Sequence, residues 1–174
     1  MKNISEIERG TEYNVYPTIF GRTSLGLGYG PDYGGYGANF TYYPHVNIGL
    51  FTGVGGAPAG TGFNAGFKIR FTKSRTMARV IPHFIAMYGS NSAVVVRDAP
   101  KYNKLFYGPS FGFGVDVHAA PPTRGSVTIA ILCPIRSSDT DVYILKTVEP
   151  KQLDYKKQLP LVISIGYRFI FHSK

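Results

Sequence analysis

Side chains between residues 105 and 118 alternate between two chemically different sets. The bulky set is Leu105, Tyr107, Pro109, Phe111, Phe113, Val115 and Val117. The alternate set is mostly small or polar and consists of Phe106, Gly108, Ser110, Gly112, Gly114, Asp116 and His118. Because successive residues of a β-strand point to opposite faces, this pattern predicts a strand with one apolar face and one face of small or polar groups.

The glycine-rich face indicates which side of this strand points outward. A soluble barrel buries its bulky groups and presents polar groups to water, which gives no reason to line one face with glycine. A membrane barrel places bulky side chains against lipid and small or polar groups in its narrow interior. The alternation therefore predicts a membrane-type β-barrel.

Seven further segments predict strands, which makes about eight in total. They are residues 22–30, 35–43, 46–55, 62–72, 78–89, 126–133 and 161–171. Pro82 removes a backbone donor from the fifth strand, residues 78–89, and predicts a bulge or a break there. The predicted fold class is an all-β, antiparallel, up-and-down barrel.

The lengths of the connections test this topology independently of the alternation. Links after the second, fourth and sixth strands look short, whereas residues 90–103 and 134–160 form long links. Membrane barrels place short turns on one side and longer loops on the other. We also predict hairpin extensions within the long loops, at residues 93–97 and 141–146.

Three segments carry a resemblance to a known family. Residues 25–44 (LGLGYGPDYGGYGANFTYYP) and 47–56 (NIGLFTGVGG) combine glycine with aromatic residues, and residues 163–171 read ISIGYRFIF. These segments resemble the hairpins and final strand of small, eight-stranded bacterial outer-membrane β-barrel proteins. The resemblance implies location in the bacterial outer membrane, contact with membrane lipid or lipopolysaccharide, and recognition by the barrel-assembly machinery.

The chain divides into three parts on this interpretation. Residues 1–19 form a polar N-terminal segment, extended or disordered; residues 20–171 form the barrel, and residues 172–174 a short tail after the last aromatic residue. Residues 1–12 lack the apolar stretch of a secretory signal. We therefore expect a mature or excised form of an outer-membrane protein.

Composition narrows the range of partners. The chain has 174 residues and a formal charge of +9, with 21 glycines, no tryptophan and one cysteine. Its basic residues are scattered near predicted turns, and no nucleic-acid motif accompanies them. We therefore predict no nucleic-acid partner and assign the basic residues to anionic headgroups at the barrel rims.

Several charged side chains fall on the predicted inner face. An eight-stranded barrel is just wide enough for side chains to fill it, so interior charges must pair with one another. We predict a closed polar network in the barrel interior, with cations in excess and room for water or a bound anion. Its members are Lys68, Arg70, Asp116, His118 and Arg168.

Catalytic and metal chemistry have little support in the sequence. Ser110 is about 26 Å along the strand from His118, at roughly 3.3 Å per residue, so Ser110, His118 and Asp116 cannot form a hydrolase triad. The four histidines and Cys133 lack the short spacing of metal ligands. We predict a non-enzymatic protein without a cofactor.

Exposed loops are where we place the binding role, because rigid scaffolds present their binding residues on loops. Residues 90–103 and 134–158 are the predicted contact segments for a protein partner, and Arg97, Lys101 and Lys104 are predicted to meet lipid phosphates. Five tyrosines are predicted near the membrane–water boundary: Tyr29, Tyr42, Tyr88, Tyr107 and Tyr167.

Two alternatives stay open at this stage. A soluble barrel could bind a small apolar ligand inside, which would bury the bulky face and expose the glycine face. A membrane-embedded lipid-modifying enzyme would use polar residues near the outer rim, with Asp116 and His118 as the residues to test.

Overall fold

A computed structural model describes residues 22–71, 79–97, 99–118, 125–151, 154–155 and 159–171, which contain a closed barrel of eight antiparallel strands. The strands are β1 (Thr23–Gly30), β2 (Gly35–His45), β3 (Ile48–Ala57), β4 (Gly60–Arg70), β5 (Val80–Val94), β6 (Lys104–His118), β7 (Gly125–Pro134) and β8 (Val162–Phe171). Each strand pairs with its sequence neighbours, and β1 pairs with β8 to close the barrel. The predicted fold class is therefore confirmed. The predicted segments 1–19 and 172–174 lie outside the described residues.

Bulky side chains point outward from the barrel. Phe113 is 63% exposed and Ile165 is 49% exposed, whereas Asp116 on the same strand as Phe113 is fully buried. Strand β7, whose two faces are both rich in apolar residues, follows the same rule, with Ile129 and Ile131 exposed and Thr128 buried. The alternation in the sequence thus corresponds to an apolar outer surface.

Strands β5 and β6 extend beyond the rest of the barrel at one end, called here the loop end. Each has 15 residues, and their ladder continues to the pair Val94 and Lys104. Pairing of β5 with β4 stops at Gly89, and pairing of β6 with β7 stops at Ser110. The hairpin beyond these residues therefore rises above the rim.

Pro82 does not interrupt β5, so the predicted bulge or break is wrong. Pro82 pairs in register with Val115, and its carbonyl oxygen accepts a hydrogen bond of 2.9 Å from the backbone N–H of Phe71. Pro82 has no backbone N–H, and the donor that it lacks would also have pointed toward Phe71. Because Phe71 lies just past the last residue of β4, only one hydrogen bond at the end of a ladder is lost. The irregularity in β5 lies instead between Ser90 and Ser92.

The link between β7 and β8 is helical where a hairpin extension was predicted. Helix α1 spans Ser138–Tyr143 and continues into a π-helical turn, Ile144–Val148, and a 3-10 turn, Glu149–Lys151. The Ser137 side chain caps α1 by accepting a hydrogen bond from the N–H of Asp139. The prediction of a hairpin at residues 141–146 is therefore wrong. Among the helices of the described residues, none has the length and apolar character needed to cross a membrane.

Candidate functional site

The link between β1 and β2 folds into the barrel and forms what we call the plug, residues 31–34. It is a 3-10 turn, Pro31–Tyr33, followed by Gly34, and both Asp32 and Tyr33 are fully buried. Gly34 and Gly35 have positive φ angles of 71° and 108°, a region that residues with a side chain rarely adopt. These glycines let the chain turn into the barrel at the plug and then continue into β2.

A row of glycines makes room for the plug. The strand register places them side by side across five neighbouring strands, as Gly166, Gly28, Gly37, Gly55 and Gly62. A Cβ atom on Gly28 would lie 2.9 Å from the Tyr33 ring, and one on Gly37 or Gly55 would meet the Tyr33 carbonyl oxygen. The inner glycine face of these strands is therefore a surface on which the plug packs.

The Asp32 carboxylate is the first electrostatic centre of the interior. Its Oδ2 lies 3.7 Å from Nζ of Lys68, and its Oδ1 accepts a hydrogen bond from the hydroxyl of Ser164. The Asn39 amide donates to the Asp32 backbone oxygen at 2.8 Å, and the Asn64 amide donates to that of Pro31 at 2.6 Å. Strands β2, β4 and β8 thus hold the plug through polar contacts.

Asp116 is the second centre. Its carboxylate lies 3.7 Å from Nη2 of Arg70 and 3.8 Å from Nδ1 of His83, and it accepts a hydrogen bond of 2.6 Å from the Thr128 hydroxyl. The Arg70 guanidinium also lies 3.6 Å from the centre of the Tyr43 ring. Four of these five side chains come from β4, β5, β6 and β7, so this centre joins strands around half of the barrel.

Arg168 lies buried and contacts neutral oxygens. Its Nη1 donates to the Thr41 hydroxyl at 3.0 Å, and its Nη2 lies 3.5 Å from Oδ1 of Asn39. Asn39 therefore connects Arg168 to the Asp32 centre. In the described part of the interior, three cations (Lys68, Arg70 and Arg168) accompany two carboxylates (Asp32 and Asp116).

The predicted members of the interior network are thus all buried, including His118 near the end of β6. The histidine that lies within ion-pair distance of Asp116 is His83, which was not among the predicted members of the network. Asp32 was also missed, because it lies in the link between β1 and β2 and not on a predicted strand. The signal that could have found the plug is the inner glycine face of β1, which leaves space that a bulky group must fill.

Part of the interior is apolar, which corrects the expectation of a small and polar lining. Phe51, Ile85, Met87, Ala130 and Leu132 form one buried cluster, contributed by β3, β5 and β7. The ammonium group of Lys68 lies 5.5 Å from the centre of the Phe51 ring. The interior thus combines a packed apolar cluster with the two electrostatic centres.

This arrangement stabilises a filled interior. Lys68, Asp32, Asp116 and Arg168 are each at most 1% exposed, so their charges meet other parts of the protein and not solvent. Buried charges that are paired and hydrogen-bonded hold strands in one arrangement, because removing one partner leaves an uncompensated charge. Among the described residues, no group of three or more His, Cys, Asp or Glu side chains could hold a metal ion.

Above the rim, the long loops form a second core, called here the loop cap. Its buried residues are Val94, Val96, Phe106 and Val148, and Tyr102, Tyr143, Ile144 and Tyr155 pack against them. The backbone of Val96 bridges to Tyr155, so the two long loops contact each other directly. Residues 93–97 therefore join the end of β5 to the other loop and do not form a hairpin of their own.

The predicted loop cations take two different positions. Arg97 is 75% exposed and lies 3.4 Å from the carboxylate of Asp154, which is 66% exposed. Lys101 lies 5.2 Å from the centre of the Tyr102 ring, and Lys104 lies 4.8 Å from that of Tyr143. Lys101 and Lys104 thus belong to an aromatic cluster, whereas Arg97 belongs to an exposed ion pair.

Lys151, which the sequence analysis did not single out, joins this cluster. Its Nζ donates a hydrogen bond of 2.9 Å to the Tyr102 hydroxyl oxygen and lies 4.3 Å from the ring centre. This hydrogen bond, together with the positive charge of Lys101 and Lys151, lowers the pKa of Tyr102. The Tyr143 hydroxyl donates a hydrogen bond of 3.0 Å to the Tyr102 backbone oxygen, which joins the two residues.

A shallow cavity of about 200 Å³ opens in the mouth of the barrel. Its wall includes the plug residues Pro31 and Gly34, the turn residue Pro58, and Asn91 and Leu105 from the β5–β6 hairpin. The side-chain amide of Asn91 already donates hydrogen bonds within the protein, to the backbone oxygens of Pro109 and Ile135. The plug therefore contributes to the wall of this cavity.

Comparison of the sequence with protein-family models and with curated proteins gives no match in either case.

Proposed function

We propose that the protein is a non-enzymatic bacterial outer-membrane β-barrel, anchored by its outer surface, closed through its interior and presenting the loop cap for contact with lipid or a protein partner. The observation that carries this proposal is the orientation of the side chains. Bulky apolar groups cover the outside of the strands, whereas the charged groups Lys68, Asp116 and Arg168 are buried inside.

The outer surface is unlike that of a protein dissolved in water. Soluble monomers rarely expose a contiguous apolar patch larger than a few hundred Å². Here exposed aliphatic and aromatic side chains occur on neighbouring strands, for example Phe113 on β6, Ile131 on β7 and Ile165 on β8. A hydrocarbon environment removes the cost of this surface, because lipid takes the place of water around it.

The two alternatives require other arrangements. A soluble barrel with a small apolar ligand needs its bulky residues inside, and Phe67, Phe111 and Phe113 are 40%, 43% and 63% exposed. A lipid-modifying enzyme needs polar groups that reach its substrate, whereas Asp116 is fully buried and held by Arg70, His83 and Thr128. The non-enzymatic membrane barrel fits both observations.

Several features favour the outer membrane as the location. A closed antiparallel barrel of an even number of strands is the form in which bacterial chains cross that membrane. The last strand presents Ile163, Ile165, Tyr167 and Phe169 outward, in the pattern that resembles the signal for the barrel-assembly machinery. Tyr29 and Tyr36 contact each other at the loop end, with tilted rings whose centres are 4.5 Å apart, where an aromatic belt would meet headgroups.

The test is whether the folded full chain depends on an amphiphile. We expect the refolded protein to stay in solution only with detergent or lipid, and to migrate differently on a gel before and after heating. A folded, monomeric chain that is soluble without detergent would contradict the proposal. Reconstitution in a planar bilayer tests the closed interior, because a steady anion-selective conductance would overturn that part alone.

A further inference from the structure

The loop cap carries several positively charged side chains next to its aromatic rings. Lys101 and Lys151 share the ring of Tyr102, with ammonium groups 5.2 Å and 4.3 Å from its centre. Lys104 lies 4.8 Å from the ring of Tyr143 and 5.3 Å from that of Phe106. The two groups of lysines are connected through their aromatic residues, because the Tyr143 hydroxyl donates a hydrogen bond to the Tyr102 backbone oxygen.

Carboxylates of the described residues do not neutralise these lysines. Within the described ranges, no ion pair involves Lys101, Lys104 or Lys151, and the ion pair recorded in this loop region joins Arg97 to Asp154. The aromatic faces reduce the repulsion between the ammonium groups, because the negative face of a ring attracts a cation. They leave the positive charge itself available to an anion.

The surface that holds the lysines is ordered by packing. Phe106 and Val148 are buried in the core of the loop cap, and Tyr143 packs against them. The ring of Phe106 meets that of Tyr143 edge to face, with centres 5.7 Å apart. Because the rings are fixed from beneath, the lysines lose less conformational freedom when they bind an anion.

The cluster also lies at the height expected for headgroups, given the membrane location proposed above. Tyr107 faces outward on β6, three residues along the strand from Lys104, which is about 10 Å at roughly 3.3 Å per residue. Tyr107 lies just above the rim, beyond the last residue of β6 that pairs with β7, and an outward tyrosine at this height is of the kind found at the membrane–water boundary. The lysines therefore stand just above the apolar surface.

We propose that Lys101, Lys104 and Lys151 together bind a phosphate group carried by an anionic lipid headgroup. Phosphate oxygens accept charge-assisted hydrogen bonds, and lysine binds phosphate as a point charge without demanding one geometry. A lipid phosphate differs from free phosphate because its acyl chains pack on the adjoining apolar surface. This proposal rests on the membrane location proposed above, because the membrane supplies the lipid phosphate.

The experiment titrates the detergent-solubilised full chain by calorimetry with short-chain phosphatidic acid, short-chain phosphatidylcholine and inorganic phosphate. We expect saturable binding of phosphatidic acid, and much weaker binding of the other two. Lys151→Gln is expected to weaken the binding of phosphatidic acid about tenfold, because it removes a charge-assisted contact. Lys151→Arg should restore most of it, because the charge is retained.

Lys146→Gln is the matched control, since it removes the same charge from an exposed position on the same loop. It is expected to weaken binding less than about twofold, as for an isolated exposed charge. Equal losses in Lys146→Gln and Lys151→Gln, or no saturable binding, would overturn the proposed site. Inorganic phosphate binding as tightly as phosphatidic acid would overturn the headgroup as its source.

Failure of the site and failure of the membrane location give different results. A chain that binds phosphatidic acid through Lys151, but is soluble and folded without detergent, retains the site and loses the membrane proposal. A chain that needs detergent but shows no difference between Lys151→Gln and Lys146→Gln retains the membrane proposal and loses the site.

Discussion

The barrel and the loop cap place their apolar side chains on opposite sides. In the barrel, Phe113 points outward and Asp116, three residues away, is fully buried. In the loop cap, Val148 is fully buried and Arg97 is exposed. Strand β6 belongs to both regions, since its inward positions carry glycine, serine and aspartate below the rim and Phe106 above it.

This difference is what the proposed membrane location leads us to expect, since the two regions would then have different surroundings. Burial of apolar surface is non-directional, so apolar groups collect wherever water is absent. Above the rim, the apolar groups pack together in the centre, as they do when water surrounds a protein. Along the barrel, the apolar groups face outward, as they do when lipid surrounds the strands. The boundary between the two regions is therefore expected near the pairing limits of β5 and β6.

The largest expected effect comes from the charged centre inside the barrel. Asp116→Asn should lower the free energy of unfolding by about 3–5 kcal/mol, because Arg70 and His83 keep their positions but lose the carboxylate between them. Urea unfolding of the full chain in detergent micelles measures this change.

The exposed ion pair of the loop cap supplies the control for this prediction. Asp154→Asn removes the same charge from its pair with Arg97 and should change stability by about 0–1 kcal/mol. Similar losses in Asp116→Asn and Asp154→Asn would contradict the distinction between a dry, filled interior and a wet cap.

A somewhat smaller effect is expected on the outer surface. Phe113→Arg places a charge in the middle of β6, between Phe84 and Ile131, and should cost about 2–4 kcal/mol if this face meets the centre of a bilayer. Unfolding from lipid vesicles measures the cost, because detergent adapts its shape more easily than a bilayer.

Leu145→Arg is the comparison, since Leu145 is 58% exposed on the loop cap, close to the 63% of Phe113. In water this substitution should change stability by less than about 0.5 kcal/mol. If Phe113→Arg proved equally harmless, the outer surface of the barrel would be in contact with water and the membrane proposal would fail.

The barrel was predictable from the sequence because alternation with a period of two has one structural meaning. The pattern of 105–118 is preserved over the whole of β6, where outward and inward positions alternate as predicted. Pro82 was misjudged because the cost of a missing donor depends on where the neighbouring strand ends. That end is a property of pairing, which one strand alone does not reveal.

The interior was only half predictable for a related reason. Lys68, Arg70, Asp116 and Arg168 lie on strands, where the side of each residue follows from its position. Asp32 lies in a link, where no period applies, and its burial depends on space left by glycines from five strands. The loop cap was missed in the same way, because its core joins residues from two separate links.

A third prediction concerns the core of the loop cap. Val148→Ala should lower the local stability of the cap by about 2 kcal/mol, at about 0.8 kcal/mol for each buried methylene equivalent, with a further contribution from the cavity left behind. Hydrogen exchange should speed up in the cap and stay unchanged at barrel amides. Faster exchange throughout β3 and β4 would show instead that the cap and the barrel unfold as one unit.

The smallest effect is expected at Tyr102, on the outer side of the cap. The hydrogen bond from Lys151 lowers the pKa of this phenol, and the charges of Lys101 and Lys151 act in the same direction. Lys151→Gln should therefore raise the Tyr102 pKa toward its ordinary value, so that the phenolate forms at higher pH than in the unmodified chain. The chemical shift of the Tyr102 ring carbons, followed through a pH titration, measures the change. Lys146→Gln, the control, should leave the Tyr102 pKa unchanged. An equal shift of the Tyr102 pKa in both variants would mean that Tyr102 responds to the total charge of the loop and not to a shared lysine cluster.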